Sequence, residues 1–235
     1  MKRFYVDDAV FDALPGYCLG VVVAKGIRNE EHNEAITTQM DEEMDAFHQQ
    51  FEGINLKEYP GICAYRDAFH KLNMNPNKFM CSIEAMAKRV QKGNRLPHIN
   101  PVVDVGNALS LKYVLPLGAH DIDQLEEDGM AIRFSTPEDH FLPIGETEQE
   151  IMPEGELVYV SGHTVKTRRW IWRQSDDGKI TGDTSYVLFP IDAFEGINDA
   201  QVVVARDELA AILREQFGCE VKTAYLNREN PSVDL

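Results

Sequence analysis

The pattern of apolar and polar positions changes period along the chain. Near the start, Tyr17-Cys18-Leu19-Gly20-Val21-Val22-Val23-Ala24 is a near-continuous apolar run rich in valine. Such a run predicts a strand covered on both faces. Residues 1–27 as a whole read as strand, short turn-rich segment, strand. From Asn29 to about Phe51 the spacing becomes helical. Ala35, Met40, Met44 and Phe47 form the apolar stripe, and acidic residues fill the opposite face. Tyr59-Pro60-Gly61 marks a turn, residues 64–72 a short helix, and Asn73-Met74-Asn75-Pro76-Asn77 a loop. Ser82 predicts the N-cap of a further helix. Glu84 in its first turn, Lys88, Arg89 and Lys92 toward its end, and Gly93 beyond them all suit the helix dipole.

Pro97 and Pro101 predict an extended path. From residue 130 the pattern shortens into strands over 131–134, 157–160, 170–173 and 186–189. Turns such as Ser175-Asp176-Asp177-Gly178-Lys179 separate them. Residues 206–217 read as an amphipathic helix stopped by Gly218, and the tail over 226–235 as loose. The expected fold is α+β: one domain over 1–235 with a β-rich, sandwich-like centre and peripheral helices. Within it, 1–59 form a strand-helix elaboration and about 204–218 a C-terminal helix.

Composition adds constraints. The chain has 235 residues, 43% hydrophobic and 26% charged, which suffices for a sizeable core. Its formal net charge is -16. That field repels phosphate backbones at long range, so a nucleic-acid partner needs a local basic patch. Lys88, Arg89, Lys92 and Arg95 form the best such cluster. Cys18, Cys63, Cys81 and Cys219 are widely spaced with no Cys-x-x-Cys pair. They predict free thiols in a reducing compartment rather than a zinc site or disulfide framework. The first residues carry no apolar signal segment, and no run of about 18 apolar residues exists. A cytoplasmic protein without a membrane partner is expected. There is no Gly-x-Ser-x-Gly elbow, metal motif, phosphate loop or dinucleotide fingerprint, so no metal or cofactor is expected.

Candidate chemistry gathers in Asn100-Pro101-Val102-Val103-Asp104-Val105-Gly106-Asn107, followed by Pro116-Leu117-Gly118-Ala119-His120-Asp121. Together with the segments 82–90 and 169–189, this run resembles the editing domain of the phenylalanyl-tRNA synthetase beta subunit, over roughly residues 60–195. That family reads Asn-x-x-Val-Asp-Val-Thr-Asn and then Pro-Leu-His-Ala-Phe-Asp. The resemblance implies a β-rich α+β fold with a pocket beside these polar segments. It also implies hydrolysis of an amino acid wrongly esterified to tRNA. No synthetase catalytic region accompanies it, so action in trans on an aminoacyl-tRNA is the implied function. Two departures stand out. The family's pocket histidine falls on Gly118, with His120 two residues later. The family's glutamate falls at about Pro190, with Asp192 and Glu195 nearby.

Each candidate residue has a functional and a structural reading. His120 suits proton transfer near neutrality, or caps a turn beside Asp121. His98 stands just before the signature and His163 in a turn, both weaker candidates. Asn107 could hold a ligand's amine or carbonyl. Asp104 suits satisfying backbone groups in a tight turn, with substrate binding as its alternative together with Ser110. Thr184, in the Asp183-Thr184-Ser185 segment, could orient water or simply start a strand. Alternation predicts Arg169 and Arg173 on one strand face and Trp170 and Trp172 on the other. The tryptophans then stack on a tRNA end with arginine on phosphate, or sit in the core. Two function classes follow: an aminoacyl-tRNA ester hydrolase using positioned water, and a non-catalytic module binding a tRNA end or amino acid. Hydrolysis of another small ester is a third. The amino acid, the tRNA and the oligomeric state are not written in the sequence.

Overall fold

Sequence period and tertiary cover together set the elements, which the computed structural model describes over residues 2–29 and 32–235. The helix expected from Asn29 begins instead at Glu34, where the Asn33 side chain caps it; Glu30 and Glu31 lie outside these residues. The chain begins with β1 (Arg3–Val6), α1 (Asp8–Ala13) and β2 (Tyr17–Lys25). Three helices follow: α2 (Glu34–Phe51), α3 (Pro60–Lys71) and α4 (Ser82–Gln91). After α5 (Pro101–Tyr113) come short strands β3 (His120–Asp121), β4 (Gly129–Phe134), β5 (His140–Phe141) and β6 (Glu150–Ile151). Strands β7 (Leu157–Ser161), β8 (Thr164–Arg168), β9 (Arg173–Gln174) and β10 (Tyr186–Phe194) lead to α6 (Asp199–Phe217), β11 (Glu220–Leu226) and β12 (Ser232–Asp234).

The strands form two sheets. The larger runs β12-β1-β4-β7-β8-β5-β6, with β9 paired to β8; the smaller runs β11-β2-β10-β3. β2 shows why a valine-rich run sits at the centre. Leu19, Val21 and Val23 point into a core shared with Phe4, Ile132 and Tyr159 of the larger sheet and with Met40, Tyr65 and Ile83 of the helices. The alternate residues Val22 and Ala24 pack under Val105 and Leu109 of α5 and Leu209 and Leu213 of α6. The expected α+β class holds, with strands at the centre and helices around them.

Three local expectations are corrected. The signature at 100–107 is a helix, not a turn. The Asn100 side chain accepts from the Val103 N–H at 3.1 Å and caps α5, and Pro101 takes the first helical position, where its missing N–H costs nothing. Pro101 therefore starts a helix rather than extending the chain. The expected strand over 170–173 is instead the loop joining β8 to β9. Arg169 (φ 50°) and Trp170 (φ 60°) both take left-handed backbone, which breaks the alternation. The tail expected to be loose is ordered: β12 pairs with β1 and β11 pairs with β2, using edges that alternation alone did not reveal. The start of α4 also shifts by one residue, with Cys81 as N-cap.

The join between β1 and β4 depends on one glycine. At Gly129 (φ 94°) an added Cβ would stand 2.1 Å from the Arg3 carbonyl oxygen. The Gly129→Ala protein should therefore lose about 3 kcal/mol or more. Urea unfolding would show it as a lowered midpoint. An unchanged midpoint would mean that β1 can part from β4 at no cost.

Candidate functional site

Two polar side chains converge in a cavity between the sheets and α4. It is lined by Ser82, Leu117, Gly118, His120, Tyr159, Trp170, Trp172, Gln174, Pro190 and Asp192, among others, and encloses about 90 Å³. Its walls are mainly apolar.

Asp192 comes from β10, a strand buried along almost its whole length. One oxygen, Oδ1, accepts three hydrogen bonds: from the Tyr17 hydroxyl at 2.5 Å, the Tyr159 hydroxyl at 2.7 Å and Trp170 Nε1 at 2.8 Å. The Tyr65 hydroxyl donates to the Asp192 carbonyl at 2.7 Å and fixes the backbone. Oδ2 has no hydrogen bond among the described residues, although the side chain is almost wholly buried, and Asp192 lines the cavity. One oxygen is thus held and the other is unpaired among the described residues. Burial raises the Asp192 carboxyl to about 6, against the lowering effect of its three donors. Trp170 is consequently a core residue that holds Asp192, not a stacking platform.

His120 comes from β3 and lies 2% exposed. Its ring stacks on Tyr159 with centroids 5.7 Å apart. Nδ1 is enclosed without a partner. Nε2 lies 3.3 Å from where a Cβ at Gly118 would stand. Residues two apart on extended chain share a side. The imidazole of His120 therefore occupies space beside the position where the resembling family carries its histidine. Burial, with a smaller effect of the Lys166 charge, lowers the imidazole to about 3. It is neutral at ordinary pH. With Nδ1 enclosed, the tautomer protonated on Nε2 presents its N–H to the cavity.

The other sequence candidates fall elsewhere. Thr184, expected to orient water, donates to Asp121 Oδ2 at 2.7 Å and accepts from the Thr181 N–H at 3.0 Å, fixing the turn before β10. Asp104 accepts from the Ile99 N–H at 2.9 Å and lies 2.8 Å from His98 Nδ1, anchoring the approach to α5. Ser110 donates to the Leu115 carbonyl and closes the end of the same helix. His163 is 3.1 Å from Asp139. Arg169 lies over the Phe79 ring at 3.9 Å and the Trp172 ring at 4.7 Å and pairs with Glu156 at 3.2 Å, bracing Trp172 at the cavity mouth. Asn107 faces a second groove beside the first.

The basic cluster divides. Lys88 is 2.6 Å from the buried Glu84, which also binds Arg66 at 2.8 Å. Arg95 pairs with Asp41 at 2.6 Å and with Asp45. Arg89 and Lys92 remain exposed at the C-terminal end of α4, whose first residue, Ser82, lines the cavity. At 1.5 Å per residue they stand roughly 10–15 Å from it.

Sequence reasoning left Asp192 out of its site. The signal was present: it is the single acidic residue in the otherwise unbroken apolar run Tyr186–Phe194. A carboxylate there needs partners or a task.

The architecture is thus a mixed α+β domain of two sheets with a buried imidazole and a half-satisfied carboxylate in one cavity. A family model for the B3/4 domain matches residues 64–218, which contain both side chains. The chain belongs to that family, the phenylalanyl-tRNA synthetase beta-subunit type of domain that its motifs resemble. Among solved structures, an N-terminal fragment of the phenylalanyl-tRNA synthetase beta-subunit from Pyrococcus horikoshii is similar at 12% identity with a TM-score of 0.48. The similarity covers 95% of this chain and 54% of that fragment, so the chain spans about half of its length. No curated protein matches the chain. No helix among the described residues is long and apolar enough to cross a membrane. No group of three or more His, Cys, Asp or Glu side chains among them could hold a metal ion.

Proposed function

We propose that this chain hydrolyses the ester of a mischarged aminoacyl-tRNA in trans, as one domain whose cavity takes the aminoacyl group. The observation that carries this reading is that Asp192, with one oxygen unpaired among the described residues, lines the same cavity as His120. An aminoacyl ester offers an ammonium, a carbonyl and apolar side-chain atoms. The cavity offers a carboxylate oxygen, an N–H donor and apolar walls.

In this reading Asp192 Oδ2 accepts the α-ammonium and so places the carbonyl. His120 Nε2–H donates to the carbonyl oxygen as negative charge develops there. Water attacks the carbonyl carbon, the acyl C–O bond breaks, and the ribose oxygen leaves as a hydroxyl carrying one proton from the water. The ester is already activated, so positioning and one well-placed donor supply much of what the reaction needs. Arg89 and Lys92 reach toward acceptor-stem phosphates against the net charge of -16.

The test is release of amino acid from a panel of correctly and incorrectly charged tRNAs by the purified protein. Rapid release from at least one mischarged tRNA is expected. Stable esters across the whole panel would overturn hydrolysis. Saturable binding of a tRNA end or amino acid without turnover would then establish the non-catalytic module, which the open carboxylate oxygen equally suits.

A further inference from the structure

The cavity does not end at Gly118. A second groove of about 290 Å³, lined by Ile99, Val103, Asn107, Ile144, Lys179 and Ile180, shares Leu117, Gly118 and Gln174 with the first. It has two features that a bare surface crease lacks. Ile99 and Ile144 are 59% and 48% exposed, two large apolar side chains from separate loops facing one slot. On its wall, the Asn107 amide has no hydrogen-bond partner among the described residues. Apolar lips with a free amide between them suit a flat ring that has apolar faces and a hydrogen-bonding edge.

Gln174 stands where the grooves meet. Its Nε2 donates to the Ala119 carbonyl at 2.7 Å. A carbonyl only accepts, so this bond fixes the amide orientation and leaves Oε1 as an acceptor without a partner among the described residues. An acceptor at that junction suits a hydroxyl on the group linking the occupants of the two grooves.

We propose that the second groove binds the terminal adenosine of the ester substrate. Ile99 and Ile144 cover the faces of the adenine, Asn107 bonds its N6 and N7 edge, and Gln174 Oε1 accepts from the ribose hydroxyl next to the ester. The inference rests on the hydrolytic reading, because that reading supplies a ligand with an acyl group on one side of the junction and a nucleoside on the other. An asparagine amide matches adenine with one donor and one acceptor, and guanine or hypoxanthine reverses the donor at position 6. Asn107 is then a specificity-determining residue rather than a catalytic one.

The probe is 3′-(alanylamino)-3′-deoxyadenosine, whose amide resists hydrolysis and whose small side chain fits any acyl pocket. Titration calorimetry would compare the native protein with Asn107→Ala and Ile144→Ser, both changes at partly or fully exposed positions. Each variant should weaken the probe about tenfold. Replacing adenine by hypoxanthine should weaken binding to the native protein and leave Asn107→Ala unchanged. Amino-acid methyl esters, which lack the nucleoside, should be hydrolysed equally by all three proteins. Equal affinity of the three proteins for the probe would overturn the adenosine groove, as would a native protein that hydrolyses esters but does not bind the probe. Failure to hydrolyse any ester, methyl or tRNA, would instead remove the reading beneath it.

Discussion

The Asp192→Asn protein should fold normally and lose about 100-fold or more in kcat/KM for the ester it hydrolyses. The substitution separates the two oxygens of this carboxylate. The amide oxygen can still accept from Tyr17, Tyr159 and Trp170, so the buried donors keep a partner. The amide nitrogen replaces Oδ2 and presents a donor where an ammonium is to sit. Losing one partner of a buried charge pair costs about 2–5 kcal/mol, which sets the expected fold-change. Asp192→Ala should behave differently. It takes the acceptor from the buried Tyr17 and Tyr159 hydroxyls, at roughly 1–3 kcal/mol for each, while Trp170 Nε1 keeps the Tyr17 oxygen at 3.2 Å, and the protein should be visibly destabilised.

The acid limb of activity supplies a second readout. Burial raises Asp192 to about 6. Ammonium binding needs the ionised form, so KM should climb as pH falls through about 6, and this limb should vanish in Asp192→Asn. Steady-state kinetics from pH 5 to 8 and thermal unfolding of both variants would check these points. An Asp192→Asn protein with native kcat/KM would remove Asp192 from substrate binding.

The fold was legible wherever one local signal dominated. The valine run gave β2, the apolar stripe from Ala35 to Phe47 gave α2, and Glu84 with the following bases gave α4. The sequence misled where tertiary structure overrides local preference. Pro101 carries two opposite meanings, breaker and first residue of a helix, and only the cap formed by Asn100 decides between them. Arg169 and Trp170 adopt left-handed backbone although neither is glycine. The Trp170 N–H bonds the Leu157 carbonyl at 2.6 Å and its indole bonds Asp192, so partners distant in sequence hold the loop. The tail pairs with sheet edges that no residue pattern within it specifies.

Half of the candidate site was legible for the same reason. His120 and Gly118 lie in one short signature. Asp192 lies 72 positions beyond His120, and only the pairing of β3 with β10 brings the two strands together. Thr184 sits in a matching segment, yet its hydroxyl turns to Asp121 on the far side of β3 from the cavity. Sequence shows that a hydroxyl is present but not which way it faces. The arginines and lysines show the same limit: the charges of Lys88 and Arg95 are answered by Glu84, Asp41 and Asp45 from other turns and helices.

Replacing His120 by glutamine should lower kcat by about 100-fold with KM little changed, and should also make the protein less sensitive to acid. The first effect follows from its role as a donor. Removing one well-aimed donor to a developing oxyanion costs about 10²–10³ in rate. A neutral imidazole lowered to about 3 gives no kinetic limb near its ordinary value. The acid limb of native activity should therefore come from Asp192 and persist in His120→Gln. A limb near 6.5 that disappears in the variant would instead make His120 a general base. The second effect is thermodynamic. In the fold His120 stays unprotonated down to about 3, whereas the unfolded chain takes up that proton near 6.5. Its contribution to stability is complete above about 6.5 and lost as pH falls toward 3. Asp192 acts in the opposite sense. Its raised carboxyl contributes most below its ordinary range and loses that contribution as pH rises through about 6. The two partly offset each other between pH 4 and 6, so the native profile alone does not separate them. Both proteins keep Asp192, and the difference between their unfolding free energies isolates the imidazole. Going from pH 7 to pH 4, the native protein should lose about 3 kcal/mol relative to His120→Gln. Urea unfolding at both pH values measures it, and parallel profiles would mean that His120 is protonated as readily in the fold as in the unfolded chain.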